Sequence, residues 1–242
     1  MLYYFIIGLI IGSFINAVVY RLPKSIMGES ISLSNPKRSL CPNCKHTLSF
    51  IELIPLLSYG LQRGKCKHCN QSISIQYPAI ELACGLLSVL AFVKFGLNLE
   101  SMFILIFIYS LVTLFWIDAK YRLLPNVITL PLIIIGLVFN YPFAFVEFTD
   151  ALIGATAGYL ALWGIFWIYK LIRKVDGMGY GDFKLVAALG AWFGWQSLPI
   201  LLLGASTLGI VYFAIFIKQR NKPFAFGPFL IISALVWLFV SY

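Results

Sequence analysis

Acid is what this chain has least of. Nine Asp and Glu stand among 242 residues, against eighteen Lys and Arg, and charged residues of both signs make up only 11%. A soluble domain carries roughly 25% charged residues, so a freely soluble globular protein is excluded. Polar and apolar residues do not alternate within the long apolar runs, which excludes a transmembrane β-barrel. No GxGxxG follows a strand pattern, so nothing indicates a dinucleotide-type fold. No internal repeat or low-complexity tract is evident, which weakens an inverted-repeat transporter. No basic residue precedes the first apolar run, which is long and carries its positive charge afterwards, at Arg21 and Lys24. It reads as a retained span rather than a cleavable signal peptide.

What the chain has instead is apolar length: 61% hydrophobic residues. A bilayer core takes about 20 mostly apolar residues per helix, and backbone groups in lipid must be satisfied within the span. Runs at roughly 2–20, 78–95, 101–117, 126–146, 151–170, 183–196, 199–217 and 227–241 predict an all-α polytopic membrane protein of about eight transmembrane helices. The sixth run is short, which predicts tilt or burial inside protein. The expected organisation is a first transmembrane helix (1–20), a small polar insert (21–77) and a seven-helix membrane body (78–242).

Basic residues set the orientation. Seventeen of the eighteen fall on one side of the expected spans, eight of them in the insert, and only Lys94 lies opposite. The other loops carry Glu100, Glu147 and Asp150. The insert is therefore expected in the cytoplasm and both termini outside. Topology accounts for the net charge of +9, so nucleic-acid binding is not expected and the surrounding partner is membrane lipid.

The insert contains two CxxC pairs, Cys41/Cys44 and Cys66/Cys69, with twenty-one residues between them. Two such turns can supply four thiolates to one ion, a closed tetrahedral zinc shell with no position left for water, hence a structural site. Two disulfides are the rival, disfavoured in a reducing cytoplasm. His46 and His68 flank the turns and read as surface residues first and as substitute ligands second. Cys84 falls within the second span and reads as a packing residue.

Three acids lie at the expected inner membrane boundary without an obvious solvent role. Asp118 ends the third run in "LFWIDAKYRLLPN", and Asp182 opens the sixth in "DGMGYGDFKL", which also holds Asp176. An acid at that depth is costly unless it faces the bundle interior or a wet cavity. The plain alternatives are an N-cap for Asp182 and an ion pair with Lys120 or Arg122 for Asp118. Neither explains Gly177, Gly179 and Gly181, which permit positive φ and close approach of another backbone. If Asp118 and Asp182 converge they share a proton, because like charges a few ångströms apart do not both ionise. One can then activate water while the other polarises a peptide carbonyl. The other class of function is an ion- or proton-coupled transporter using the same two acids. Glu81, near the start of the second span, either favours the helix dipole or lines a site. "GLIIG", "GATAG" and "GAWFG" space small residues for close helix contact in lipid.

Taken together, these stretches resemble the bacterial type IV prepilin peptidases, the GxGD aspartyl membrane proteases that also methylate their product. "GMGYGDFKLVAALGAW" and "DAKYRLLPNVITLP" resemble the two catalytic motifs, "GSFINAVVYRLP" the N-terminal signature, the insert the zinc-binding region, and "FAFGPFL" the closing motif. The resemblance implies Asp118 and Asp182 as the catalytic acids, with Gly177, Gly179 and Gly181 beside the substrate. It implies Zn2+ at Cys41, Cys44, Cys66 and Cys69, and S-adenosylmethionine as methyl donor, for which Glu81 is the candidate contact. The substrates implied are prepilins and pseudopilins of pilus, type II secretion or competence systems, cut at the cytoplasmic face of a bacterial inner membrane. A basic leader is not steered by a basic inner face, so Asp176 and Glu52 are expected to receive it.

Overall fold

A computed structural model describes residues 1–29, 31–33, 38–143, 145–174, 179–216 and 225–242. It is helical, and among the described residues no strand forms beyond two isolated bridges in the insert. Within Met1–Thr113, α1 (Leu2–Ile26) leads into the insert, which contains a 3₁₀ turn (Ile51–Leu53) and a short α2 (Leu57–Leu61). Then follow α3 (Gln76–Phe95) and α4 (Leu99–Tyr121), whose last turns belong to the second compact unit, Leu114–Tyr242. That unit continues with α5 (Asn126–Asn140), α6 (Phe148–Arg173), α7 (Tyr180–Phe193), α8 (Leu198–Phe216) and α9 (Gly227–Ser241). The eight longer helices correspond to the eight apolar runs. Five stretches are long and apolar enough to cross a membrane (α1, α3, α4, α6 and Trp195–Ile215), while α5 and α9 are shorter apolar helices. The chain is a multi-pass membrane protein.

In the first unit α1 packs along α3. Gly8 lies against Ser88 and the Cys84 carbonyl, and Gly12 against the Glu81 Cα, so the small-residue spacing of "GLIIG" brings two helices close where lipid offers no hydrophobic drive. Cys84 is fully buried there, as a packing residue. Polar ties reinforce the contact. Asn16 Nδ2 donates to the Tyr77 carbonyl at 3.0 Å, and the Ser88 and Tyr109 hydroxyls meet at 2.7 Å between α3 and α4.

The second unit is built around α7. Eleven of its fourteen residues are buried, from Asp182 to Phe193 with Lys184 the one interruption. An apolar helix that is covered all round needs no span length of its own, which explains the shortness of the sixth run. Gly154 of α6 and Gly190 of α7 meet backbone to backbone; a Cβ at either would strike the other's carbonyl oxygen. On the opposite side Trp192, fully buried, fits over Gly136 and donates from Nε1 to the Leu132 carbonyl at 3.0 Å. Asn140 Nδ2 reaches the carbonyls of Ala191 and Trp192 at 2.9 and 3.0 Å, while its Oδ1 accepts the Val146 N–H. It thereby answers orphan carbonyls at the C-terminal end of α7. Phe166, Tyr180, Phe183 and Tyr159 make an aromatic cluster that supports the first turn of α7 against α6.

Candidate functional site

Asp118 and Asp182 both belong to the second unit, and with Glu81 of the first they are the buried carboxylates among the described residues. Asp118 sits near the C-terminal end of α4, 5% exposed. Directly after it the chain turns sharply. The Arg122 N–H donates to the Asp118 carbonyl at 2.8 Å, and Arg122 takes a left-handed φ of 54°. That turn throws Leu124 inward, and Pro125 then leads into α5. Asp182 lies in the first turn of α7, where its N–H donates to the Gly179 carbonyl at 3.1 Å. The helix begins at Tyr180 with Gly179 as N-cap, so the N-cap reading of Asp182 does not hold. The ion-pair reading of Asp118 also fails: among the described residues its Oδ2 is buried without a hydrogen-bond partner, and Arg122 acts on it only through its field. The two carboxylates, 64 positions apart in sequence, are brought to one place by Leu124, which lies against Gly181 next to Asp182 and against Gly227 facing Asp118.

Leu124 and two glycines shape the space around the acids. A Cβ at Gly181 would lie 2.7 Å from Leu124 Cβ, and one at Gly227 would lie 2.5 Å from Asp118 Oδ2. Neither Gly179 nor Gly181 takes a positive φ; Gly179 is extended, and open space beside it leads to Asp182 Oδ2 at 3.7 Å from a notional Cβ. The third glycine thus answers the close approach of a side chain rather than a backbone. Gly177 and Asp176 fall outside the described residues. Lys184 Nζ donates to Asn126 Oδ1 at 2.7 Å, tying the first turn of α7 to the start of α5. Leu124, Asn126 and Gly227 were not singled out as site residues from sequence. The Gly-Pro that opens α9 was a visible signal for the last of these, but its facing acid was not.

In the first unit the four insert cysteines converge. Their sulfurs lie within 4.8 Å of one another, Cys41 and Cys69 Sγ being 3.9 Å apart. All five cysteines of the chain are free thiols, so the disulfide alternative does not hold. Each CxxC turn closes the same bonds. Cys41 N–H donates to the His46 carbonyl and Lys45 N–H to the Cys41 carbonyl; Cys66 and Asn70 repeat this with Gln71 and Cys66. Lys45 and Asn70 take matching left-handed φ values of 59° and 56°. The insert therefore carries a local structural repeat that the sequence did not announce. The Gln71 N–H and then the Asn43 amide, turned on the sulfur, bring the Cys69 thiol down to about 6. The cluster could hold a metal ion.

Glu81 is buried in α3, six positions into the helix and outside its first turn, so the dipole reading fails. Its Oε2 accepts the Leu56 N–H at 2.9 Å. Leu56 is itself held at a left-handed φ of 59°, so Glu81 anchors a strained turn of the insert to α3. Glu52 does not offer its charge to solvent. The Ser49 N–H and then its hydroxyl engage the carboxylate and hold it below the usual carboxylate range.

The sequence is similar to those of known proteins. Residues 6–95 match the bacterial peptidase A24 N-terminal domain, and residues 105–214 match the type IV leader peptidase family. The chain is 43% identical over 258 residues to a protein of Aeromonas hydrophila named prepilin leader peptidase/N-methyltransferase, covering 96% of this chain and 89% of that protein. Proteins of the same name from Pseudomonas aeruginosa and Neisseria gonorrhoeae are 41% and 39% identical over 96% and 94% of this chain, and 88% and 86% of their own lengths. No solved structure gives a significant match. With both halves matched in order and the relatives covered almost end to end, the chain belongs to the type IV leader peptidase family.

Proposed function

We propose that this protein is a bifunctional prepilin leader peptidase and N-methyltransferase, acting on prepilins and pseudopilins at the cytoplasmic side of a bacterial inner membrane, with the insert inside and both termini outside. The names of its relatives support both activities. Its own basic residues, concentrated on one side, support the orientation. In this reading residues 21–77 organise the cytoplasmic face and the helices of 78–242 carry out hydrolysis. Ion-coupled transport gains nothing from these matches.

For the hydrolysis we assign Asp118 and Asp182 as the catalytic pair. The observation that carries the assignment is the burial of these two remote acids around one side chain, Leu124, which lies against Gly181 beside Asp182 and against Gly227 beside Asp118. Two such carboxylates hold one proton between them. The ionised member takes a proton from water, whose oxygen attacks the scissile carbonyl carbon. The protonated member hydrogen-bonds the carbonyl oxygen and stabilises the tetrahedral adduct. When the C–N bond breaks, a proton passes to the departing amine. Gly179 and Gly181, with Gly177 ahead of them, are proposed to flank the extended peptide. Cleavage of a synthetic leader–pilin peptide by purified protein tests the assignment. Asp118→Asn and Asp182→Asn should each lower turnover by about 10²–10⁴-fold while leaving the helical content unchanged; turnover retained in either variant refutes it.

The metal we assign to Cys41, Cys44, Cys66 and Cys69 is zinc, in a structural role. Zn–S bonds of about 2.3 Å place tetrahedral sulfurs about 3.8 Å apart, and the 3.9 Å between Cys41 and Cys69 fits that shell. S-adenosylmethionine is proposed as the methyl donor from the relatives' name. Glu81 remains the candidate contact by position, yet its carboxylate is engaged by the Leu56 amide. Its observed partners are those of an anchor, and no methyl-transfer step is derived through it.

A further inference from the structure

The insert holds a second group of ligand-bearing side chains that the cysteine cluster does not use. His46, Glu52 and His68 each turn one ligand atom into a common space, and the three atoms lie within 4.8 Å of one another. They come from three places: the end of the first cysteine turn, the 3₁₀ turn that follows it, and the interior of the second cysteine turn. The two imidazoles lie with ring centroids 3.5 Å apart, and His68 Nε2 is 3.8 Å from Glu52 Oε1.

Glu52 divides its two oxygens. Oε2 accepts the Ser49 N–H and hydroxyl, both at 2.8 Å. Oε1 is buried with no hydrogen-bond partner, on a side chain only 9% exposed, and it faces the histidines. A buried carboxylate oxygen is costly to leave unmet. Hydrogen bonds to Oε2 fix the orientation of the carboxylate, as outer partners orient metal ligands elsewhere.

We propose that His46, Glu52 and His68 form a second metal site, separate from the four cysteines, that takes a borderline divalent cation, Zn2+ foremost. Two imidazoles and a carboxylate are a zinc donor set that leaves a fourth position open. The soft thiolates and this nitrogen–oxygen set make different demands, so the sites differ in spectrum and affinity. Ligands at about 2.1 Å from a tetrahedral ion stand about 3.4 Å apart. Closing on an ion therefore asks the two exposed imidazoles, tilted with 33° between their planes, to turn their nitrogens toward it, with the carboxylate already held. Arg63, Lys65 and Lys67 line the same cavity of about 740 Å³. They oppose a loosely attracted cation, so binding has to be inner-sphere, through all three ligands. An ion held there ties the turn between the two cysteine pairs to both of them. The inference is independent of the peptidase reading.

The test is a Co2+ titration of the full-length, metal-stripped protein in detergent, followed by absorption and by metal content per chain. Two ions per chain are expected. The first brings intense thiolate-to-cobalt charge transfer. The second adds weak visible bands without it. Glu52→Gln and His46→Asn should each weaken the second ion by about 100-fold or more and keep the thiolate band, which certifies that the insert is folded. A wild-type protein that saturates at one ion overturns the proposal whatever the variants do, and so does a second ion that binds both variants with unchanged affinity. A missing thiolate band beside an intact second ion would instead overturn the cysteine assignment and leave this one standing.

Discussion

Replacing Gly227 with alanine should disable catalysis while sparing the fold. Gly227 is the first residue of α9, and its φ is not left-handed. The backbone therefore accepts a Cβ, and alanine at a helix position is favoured over glycine by up to about 1 kcal/mol. The new methyl group, however, would stand 2.5 Å from Asp118 Oδ2 and 3.1 Å from its Cγ. That falls about 0.9 Å short of ordinary contact, and the carboxylate is the softer of the two parties because α9 is pinned by packing. A displacement near 1 Å of a reacting group costs on the order of 10²-fold in rate. Turnover of a leader–pilin peptide should fall by about that factor, with the midpoint of thermal unfolding in detergent unchanged or slightly raised. Gly164→Ala is the control: nothing lies within 4 Å of its notional Cβ, and activity should be preserved. Turnover in Gly227→Ala within twofold of the parent would refute the reasoning, since the carboxylate would then not be confined by that glycine.

Other perturbations separate the remaining assignments. Asp118→Asn and Asp182→Asn should stop cleavage but still methylate a pilin supplied already cleaved, as read by transfer of a labelled methyl group; loss of both activities would argue against separate chemistry. Cys41→Ser or strong chelation should release the thiolate-bound ion and open residues 40–72 to protease, while digestion of the membrane helices stays slow. Asn140→Ala should cost about 1–3 kcal/mol in detergent unfolding, because the Ala191 and Trp192 carbonyls and the Val146 N–H all lose their partner. A reporter fused at either terminus should be active only outside the cytoplasm; activity inside would reverse the orientation.

The helices were legible because lipid demands long uninterrupted apolar runs, and each run became a helix. The shortness of the sixth run was legible too, and its cause is the envelope of neighbours around Phe183 to Phe193. The acids were conspicuous by rarity. What the sequence could not give was how they are confined. The wedge of Leu124 between Gly181 and Gly227 joins residues from three segments, and no local pattern encodes it. Helix starts were misjudged for a related reason. Asp182 has the chemistry of a cap, but the first turn begins with the glycine and tyrosine before it. Glu81 looked like a helix-start acid until the helix proved to begin at Gln76. His46, Glu52 and His68 are each visible in the sequence, but that they converge is not, because a ligand group drawn from three turns has no spacing to read.

The two cysteine turns are duplicates in their bonding, as the proposed grip on one ion between them requires. Their mismatches then carry separate information: Gln71 answers His46, and Asn43 answers His68. Transplanting each turn into the other's place would conserve the cluster of four sulfurs and relocate both imidazole rings, leaving Glu52 facing an amide on either side.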